Sequence, residues 1–175
     1  MSLDLAPSRR SRSYDYEVAA FDAAAAMRMT GLEYMQALLA GEIGAEPPIV
    51  ATMGMSRPMD LAEGFSAVEA DPADYHMNPI GMVHGGFAAT ILDSALGCAV
   101  HTALPKGVGY STADLKITYT RAIMPATGRV RAEAKVVHLG RQMATAEARL
   151  FAAKDSKLLA HGAATCFLFP LGMKA

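Results

Sequence analysis

The chain has 175 residues, 52% of them apolar, and a formal net charge of −1 from 16 Lys and Arg against 17 Asp and Glu. That length holds one domain with at most a small appendage and buries a full core. A near-neutral balance without a basic stripe argues against nucleic acid or a membrane surface as partner, and no segment approaches the roughly 18 uninterrupted apolar residues of a membrane span.

Residues 1–15 read as a disordered basic tail. Its SRRSRS run reads as part of that tail and not as a twin-arginine signal, because Asp15, Glu17 and Asp22 fall where an apolar region would have to be. Residues 16–46 read as a helical extension of two short helices. Thr30 and Glu33 are spaced as a capping box, and the following turns place Leu32, Met35, Leu38 and Leu39 on one face, so the second helix should dock on a core. Gly41, Gly44 and the Pro47-Pro48 pair end it.

From residue 47 to the C-terminus the pattern is that of one α+β domain. Residues 49–55 and 64–70 read as strands, and a long helix follows over residues 84–103. Phe87, Ile91, Leu92, Leu96 and Val100 make that helix apolar on nearly every face, as expected where other structure wraps around it. A break at residues 105–109 leads to four strands read as a meander. In the second of these, Val130, Ala132, Ala134 and Val136 alternate with Arg129, Arg131, Glu133 and Lys135, the mark of an antiparallel sheet with one wet face. Cys98 and Cys166 have neither CxxC nor Cys/His ligand spacing, and His76, His101, His138 and His161 are scattered. Reduced core thiols in a cytoplasmic protein, with no metal and no cofactor, are the expectation.

The most informative stretch is NPIGMVHGGFAATILDSALG, residues 78–97. It sets one ionisable side chain, Asp93, within an apolar helix, where a carboxylate needs either a partner or a task. Pairing with a buried arginine or a backbone group is the structural alternative to a chemical role. Upstream, His84-Gly85-Gly86 opens the helix, leaving backbone N–H groups uncovered by side chains at its positive end. The two glycines could instead serve only close packing.

An antiparallel sheet around one long apolar helix is the hotdog architecture, and the residues resemble its acyl-CoA thioesterase members, in particular the PaaI-like branch of the phenylacetate pathway. The resemblance spans residues 49–169. It rests on Asn78 six residues before His84, on the HGG triplet, on Asp93 nine residues after His84, and on the strand YSTADLKITYTRAI. Thioester hydrolysis requires a donor for the developing oxyanion and a base or nucleophile for the attack. The Gly85 N–H at a helix N-terminus suits the first role, and the poorly hydrated carboxylate of Asp93 suits the second, as general base or as nucleophile.

Gly85 and Asp93 stand eight residues apart, about 12 Å along a helix axis, too far to act on one carbonyl. They must therefore meet across subunits, giving a dimer with composite sites, as the resemblance also implies; the family further implies a tetramer. By resemblance, Asn78 positions or polarises the thioester carbonyl, and Thr112 holds the attacking water. Strict alternation sets Thr112 opposite to Leu115, so it needs a bulge or a strand end to reach the site. His84 reads as a positioner of the loop. Arg141, then Arg121, match basic positions that contact the CoA nucleotide. Two rivals remain: a non-catalytic acyl-CoA-binding sensor or carrier, and hydratase or dehydratase chemistry, for which only His101 is available as an acid–base partner on the helix.

Overall fold

The computed structural model describes residues 8–56 and 60–172. The first seven residues of the expected tail lie outside these. Residues 8–22 carry no helix or strand, yet they lie against the domain. The Arg12 guanidinium donates to the carbonyls of Ala51 and Thr52 and lies over the rings of Tyr14 and Tyr75, while Arg10 pairs with Asp74 at 3.0 Å.

The two N-terminal helices are α1 (Ala23–Arg28) and α2 (Gly31–Ala40). The capping box forms as the spacing requires: Glu33 N–H donates to Thr30 Oγ1 at 3.3 Å, and Thr30 N–H donates to Glu33 Oε2 at 2.7 Å. Tyr34, Met35 and Ala37 are the side chains α2 buries. Gly31 permits the docking, because a Cβ there would lie 1.6 Å from the His101 carbonyl oxygen, and its N–H donates to Leu104 O at 2.9 Å.

Residues 49–55, expected as a strand, are instead mostly helix α3 (Pro48–Met53). Pro48 presets the helical φ at the first position and Gly54, at φ 63°, closes the helix in the left-handed conformation. These end signals outweigh the strand preference of Ile49 and Val50, so the proline pair begins a helix as well as ending one.

The sheet begins at β1 (Asp60–Ala62), paired in a hairpin with β2 (Phe65–Ala70). After the central helix α4 (Gly85–Thr102) come β3 (Val108–Tyr119), β4 (Val130–Leu139), β5 (Met143–Ala152) and β6 (Leu158–Pro170). All pairings are antiparallel, in the order β1-β2-β4-β5-β6-β3. The expected four-strand meander is thus corrected: β4, β5 and β6 form one, whereas β3 crosses to the far edge beside β6.

The sheet wraps α4. Phe87, Ile91, Leu92, Leu96 and Val100 are buried to 2% exposure or less, packed against Val130, Ala132, Ala134 and Leu150. Burying each large apolar side chain contributes about 1.5 to 3 kcal/mol. Helix and sheet are pinned by buried polar bonds as well: Ser66 Oγ donates to Ala95 O at 2.7 Å, and Thr102 Oγ1 accepts from Gly64 N–H at 3.0 Å. The outer face of β4 carries charge, with Arg131 paired to Asp60, Glu69 and Glu133. No described helix is long and apolar enough to cross a membrane.

Candidate active site

Asp93 is half-buried, on the side of α4 that the sheet leaves uncovered, together with Ser94 and Cys98. Its carboxylate accepts a hydrogen bond from Thr112 Oγ1 at 3.1 Å. Thr112 reaches it because β3 is bulged: Thr112 pairs with Cys166 and Asp114 with Thr165, leaving Ala113 as an extra residue. Cys166 is fully buried against α4, so its partner Thr112 stands on the helix side of the sheet. Among the described residues no lysine or arginine pairs with Asp93.

Asp93 and Thr112 border a cleft of about 270 Å³. Much of its other wall is apolar and comes from outside the sheet, Met35 and Leu38 of α2 and Ile49 and Val50 of α3, with the Glu46 carboxylate beside them. Burial, reinforced by the charge of Asp93, pushes the Cys98 thiol up to about 12, so it is no thiolate nucleophile at neutral pH. Ser94 Oγ is directed at Met55 Sδ, 3.7 Å away, and not at a base.

The second group of residues gathers at the start of α4. His84 is the helix cap, its Nδ1 accepting from Gly86 N–H at 2.9 Å. Among the described residues nothing accepts from the Gly85 N–H, one of the orphan donors of a helix start. The Gly85 carbonyl accepts from Tyr119 Oη at 3.1 Å, and a Cβ at Gly85 would lie 3.1 Å from Tyr119 Cζ, tighter than ordinary packing. Asn78 Oδ1 accepts from both Ile80 and Met82 N–H at 3.1 Å, so this oxygen closes the loop that delivers His84 and Gly85.

Asn78, His84, Gly85, Tyr119 and Arg121 border a cleft of about 360 Å³. It shares no lining residue with the Asp93 cleft. One chain therefore presents two separate clefts along one helix. Arg121 borders the Gly85 cleft; Arg141, in the turn between β4 and β5, borders neither.

Three aromatic or imidazole side chains were not singled out by sequence reasoning. Tyr119 holds the Gly85 carbonyl, and Tyr110 stands in the wall of the Asp93 cleft. His76 is buried against Phe87, takes a hydrogen bond from Ala73 N–H on Nδ1, and gives its carbonyl to His84 N–H at 2.7 Å. Burial first, and then the Arg12 cation, hold the His76 imidazole below the usual histidine range. The tyrosines stood within the strand motif YSTADLKITYTRAI, but only the pairing of β3 shows what they touch.

The family model described as the thioesterase superfamily matches residues 80–159. A curated esterase-like protein of Halobacterium salinarum is 44% identical over 78 residues, covering 43% of this chain; the chain spans about half the length of that relative. Among solved structures, the phenylacetic acid degradation-related protein of Ralstonia eutropha JMP134 is 30% identical with a TM-score of 0.67, over 77% of this chain and 98% of that one. A mutant of the phenylacetic acid degradation protein PaaI of Thermus thermophilus is 29% identical with a TM-score of 0.62, over 69% of this chain and 98% of that one. With its six-stranded sheet, its central helix and these relatives, the chain belongs to the hotdog-fold thioesterase superfamily, in the PaaI-like branch.

Proposed function

We propose that the protein is a cytoplasmic acyl-CoA thioesterase, hydrolysing aryl or short- to medium-chain acyl-CoA to the free acid and CoA in composite sites of a homodimer. The observation that carries this reading is the division of the chemistry between two clefts on one chain, Asp93 with Thr112 in one and the Gly85 N–H in the other. Strand β3 is the long edge of the sheet and runs from one half-site to the other, since Thr112 and Tyr119 both lie on it. A two-fold antiparallel pairing of two such edges, centred near Leu115 and Lys116, sets Thr112 of one chain across from Tyr119 of the partner subunit. That arrangement carries Asp93 toward Gly85 of the partner subunit. Two dimers then form the tetramer.

In the base-catalysed route Asp93 takes a proton from a water held by Thr112, and the water oxygen attacks the thioester carbon. The Gly85 N–H and the dipole of α4 stabilise the oxyanion. Collapse breaks the C–S bond, and the proton passes to the CoA sulfur. In the nucleophilic route an Asp93 oxygen itself bonds to the acyl carbon, the thiolate leaves, and water then cleaves the mixed anhydride. Once Asn78 Oδ1 is engaged by its loop, the side-chain N–H₂ is what Asn78 offers to substrate. Arg121, on the Gly85 half, and Arg141 at the turn serve the CoA phosphates. A cavity of about 150 Å³ holds a benzene molecule, so the Asp93 cleft of about 270 Å³ suits an aryl group or a medium chain.

Thiol release from a panel of acyl-CoAs by wild type and by Asp93→Asn is the test. Turnover that falls about a hundredfold or more in the variant supports the reading. Binding without turnover on any member of the panel favours the non-catalytic sensor or carrier instead.

A further inference from the structure

A second apolar cavity, of about 290 Å³, lies beyond the Asp93 cleft. It is bounded by Ala26 and Met29 of the first helix region, by Gly31 and Tyr34 of α2, by His101 of α4, and by Val108 at the start of β3. Nothing in the reaction proposed above uses it. Tyr110 is the one side chain common to the linings of this cavity and of the Asp93 cleft. Helix α2 roofs both, with Met35 and Leu38 over the near compartment and Tyr34 over the far one.

We propose that Tyr110 is a partition across a two-compartment acyl tunnel and sets the longest acyl chain the site accepts. The inference rests on the thioesterase reading. Three observations support it. The ring lies directly on α4 at Gly97, where a Cβ would meet Tyr110 Oη at 2.8 Å and Cε2 at 3.2 Å, so glycine at 97 is what lets the ring lie between the two cavities. One turn further along α4, the His101 ring meets Tyr110 from the far side, centroids 5.6 Å apart. The hydroxyl makes no hydrogen bond among the described residues, so its removal leaves no protein group unpaired. The far compartment suits hydrocarbon: His101, the titratable group of α4 facing it, is held by burial at about 4 and is neutral near pH 7, and Tyr34 is raised above its ordinary value, also by burial. A chain entering past Asp93 ends at the Tyr110 ring; with the ring gone it continues under α1 and α2.

The test compares butanoyl-, octanoyl- and tetradecanoyl-CoA hydrolysis, and binding of the matching free fatty acids by calorimetry, in wild type, Tyr110→Phe, Tyr110→Leu and Tyr110→Ala. Tyr110→Phe is expected to keep the wild-type profile. Tyr110→Ala is expected to raise the tetradecanoyl-to-octanoyl ratio of kcat/KM by about tenfold or more, since each methylene newly accommodated is worth that order. Adding Ala26→Phe, which fills the far compartment, should return the ratio toward wild type. Tyr110→Leu opens the passage with a smaller loss of packing and stands in if Tyr110→Ala does not fold. A folded Tyr110→Ala or Tyr110→Leu with an unchanged profile overturns the partition, as does a gain that Ala26→Phe leaves intact. If no variant hydrolyses any thioester, the thioesterase reading fails on its own. The fatty-acid affinities then decide: a shift toward tetradecanoate upholds the partition, and equal affinities in all variants overturn it.

Discussion

Thr112 Oγ1 donates to Asp93 Oδ1 across 3.1 Å, from an edge strand to the central helix, and it does so only because Ala113 is bulged out of the pairing with β6. The bond engages Oδ1 and leaves Oδ2 as the oxygen without this partner. Replacing Asp93 by Asn keeps the shape and removes the proposed base or nucleophile, so kcat is expected to fall about a hundredfold or more while the melting temperature stays the same or rises. Thr112→Ala should cost about tenfold in kcat through misorientation, and Thr112→Ser, which restores the hydroxyl, should recover most of it. A Thr112→Ala enzyme with full kcat in steady-state assays would remove Thr112 from the site.

The helix start separates the role of an N–H from that of a glycine. Proline is tolerated at the first position of a helix, and His84 before it is extended at φ −61° and ψ 140°, a conformation that a following proline allows. Gly85→Pro therefore deletes the proposed oxyanion donor without breaking α4. Gly85→Ala adds the same Cβ, with the same crowding of Tyr119 at 3.1 Å, but keeps the donor. Losing one such donor costs about a hundredfold or more in kcat. The expected order of kcat is wild type, then Ala, then Pro well below, and equal losses in Ala and Pro would point to Tyr119 crowding alone.

The proposed composite sites make a sharper prediction. On that proposal a Gly85→Pro chain and an Asp93→Asn chain are each expected to be inactive as homodimers, yet a mixed dimer would contain one site with both an intact Gly85 and an intact Asp93. Unfolding and refolding the two variants together should recover about a quarter of wild-type activity, because half the dimers are mixed and each holds one working site. Activity no greater than that of the separate variants would place both groups within one chain.

Much of this arrangement was legible in the sequence because the signals were local. The capping box of Thr30 and Glu33, the alternation in β4 and the apolar turns of α4 each specify an element from a few neighbouring residues, and all three formed. The HGG triplet and Asp93 likewise share one helix, so their separation followed from its rise. Failures came where the outcome depended on partners distant in sequence. Ile49 and Val50 look like a strand until Pro48 and Gly54 are read as helix ends, and the edge position of β3 follows from its pairing with β6 some 50 residues later. The same non-locality hid Tyr119, whose contact with Gly85 spans 34 positions, and Tyr110, whose position between two cavities exists only once α2 has docked.

His101 gives the pH dependence of stability a definite sign. Burial lowers its folded-state value to about 4 from an unfolded value near 6.5. Above pH 6.5 neither state is protonated, and the group contributes no pH dependence. Between about pH 6.5 and 4 the unfolded chain binds a proton that the native chain does not, so stability falls as pH falls, by at most about 1.4 kcal/mol per pH unit. His76, lowered by burial and by Arg12, acts in the same direction. Thermal melts of wild type should therefore show a melting temperature that drops across this window, whereas His101→Phe, which keeps an aromatic ring between Tyr34 and Tyr110, should show a shallower drop. Parallel curves for the two proteins would mean that His101 is hydrated enough in the folded state to take up its proton normally.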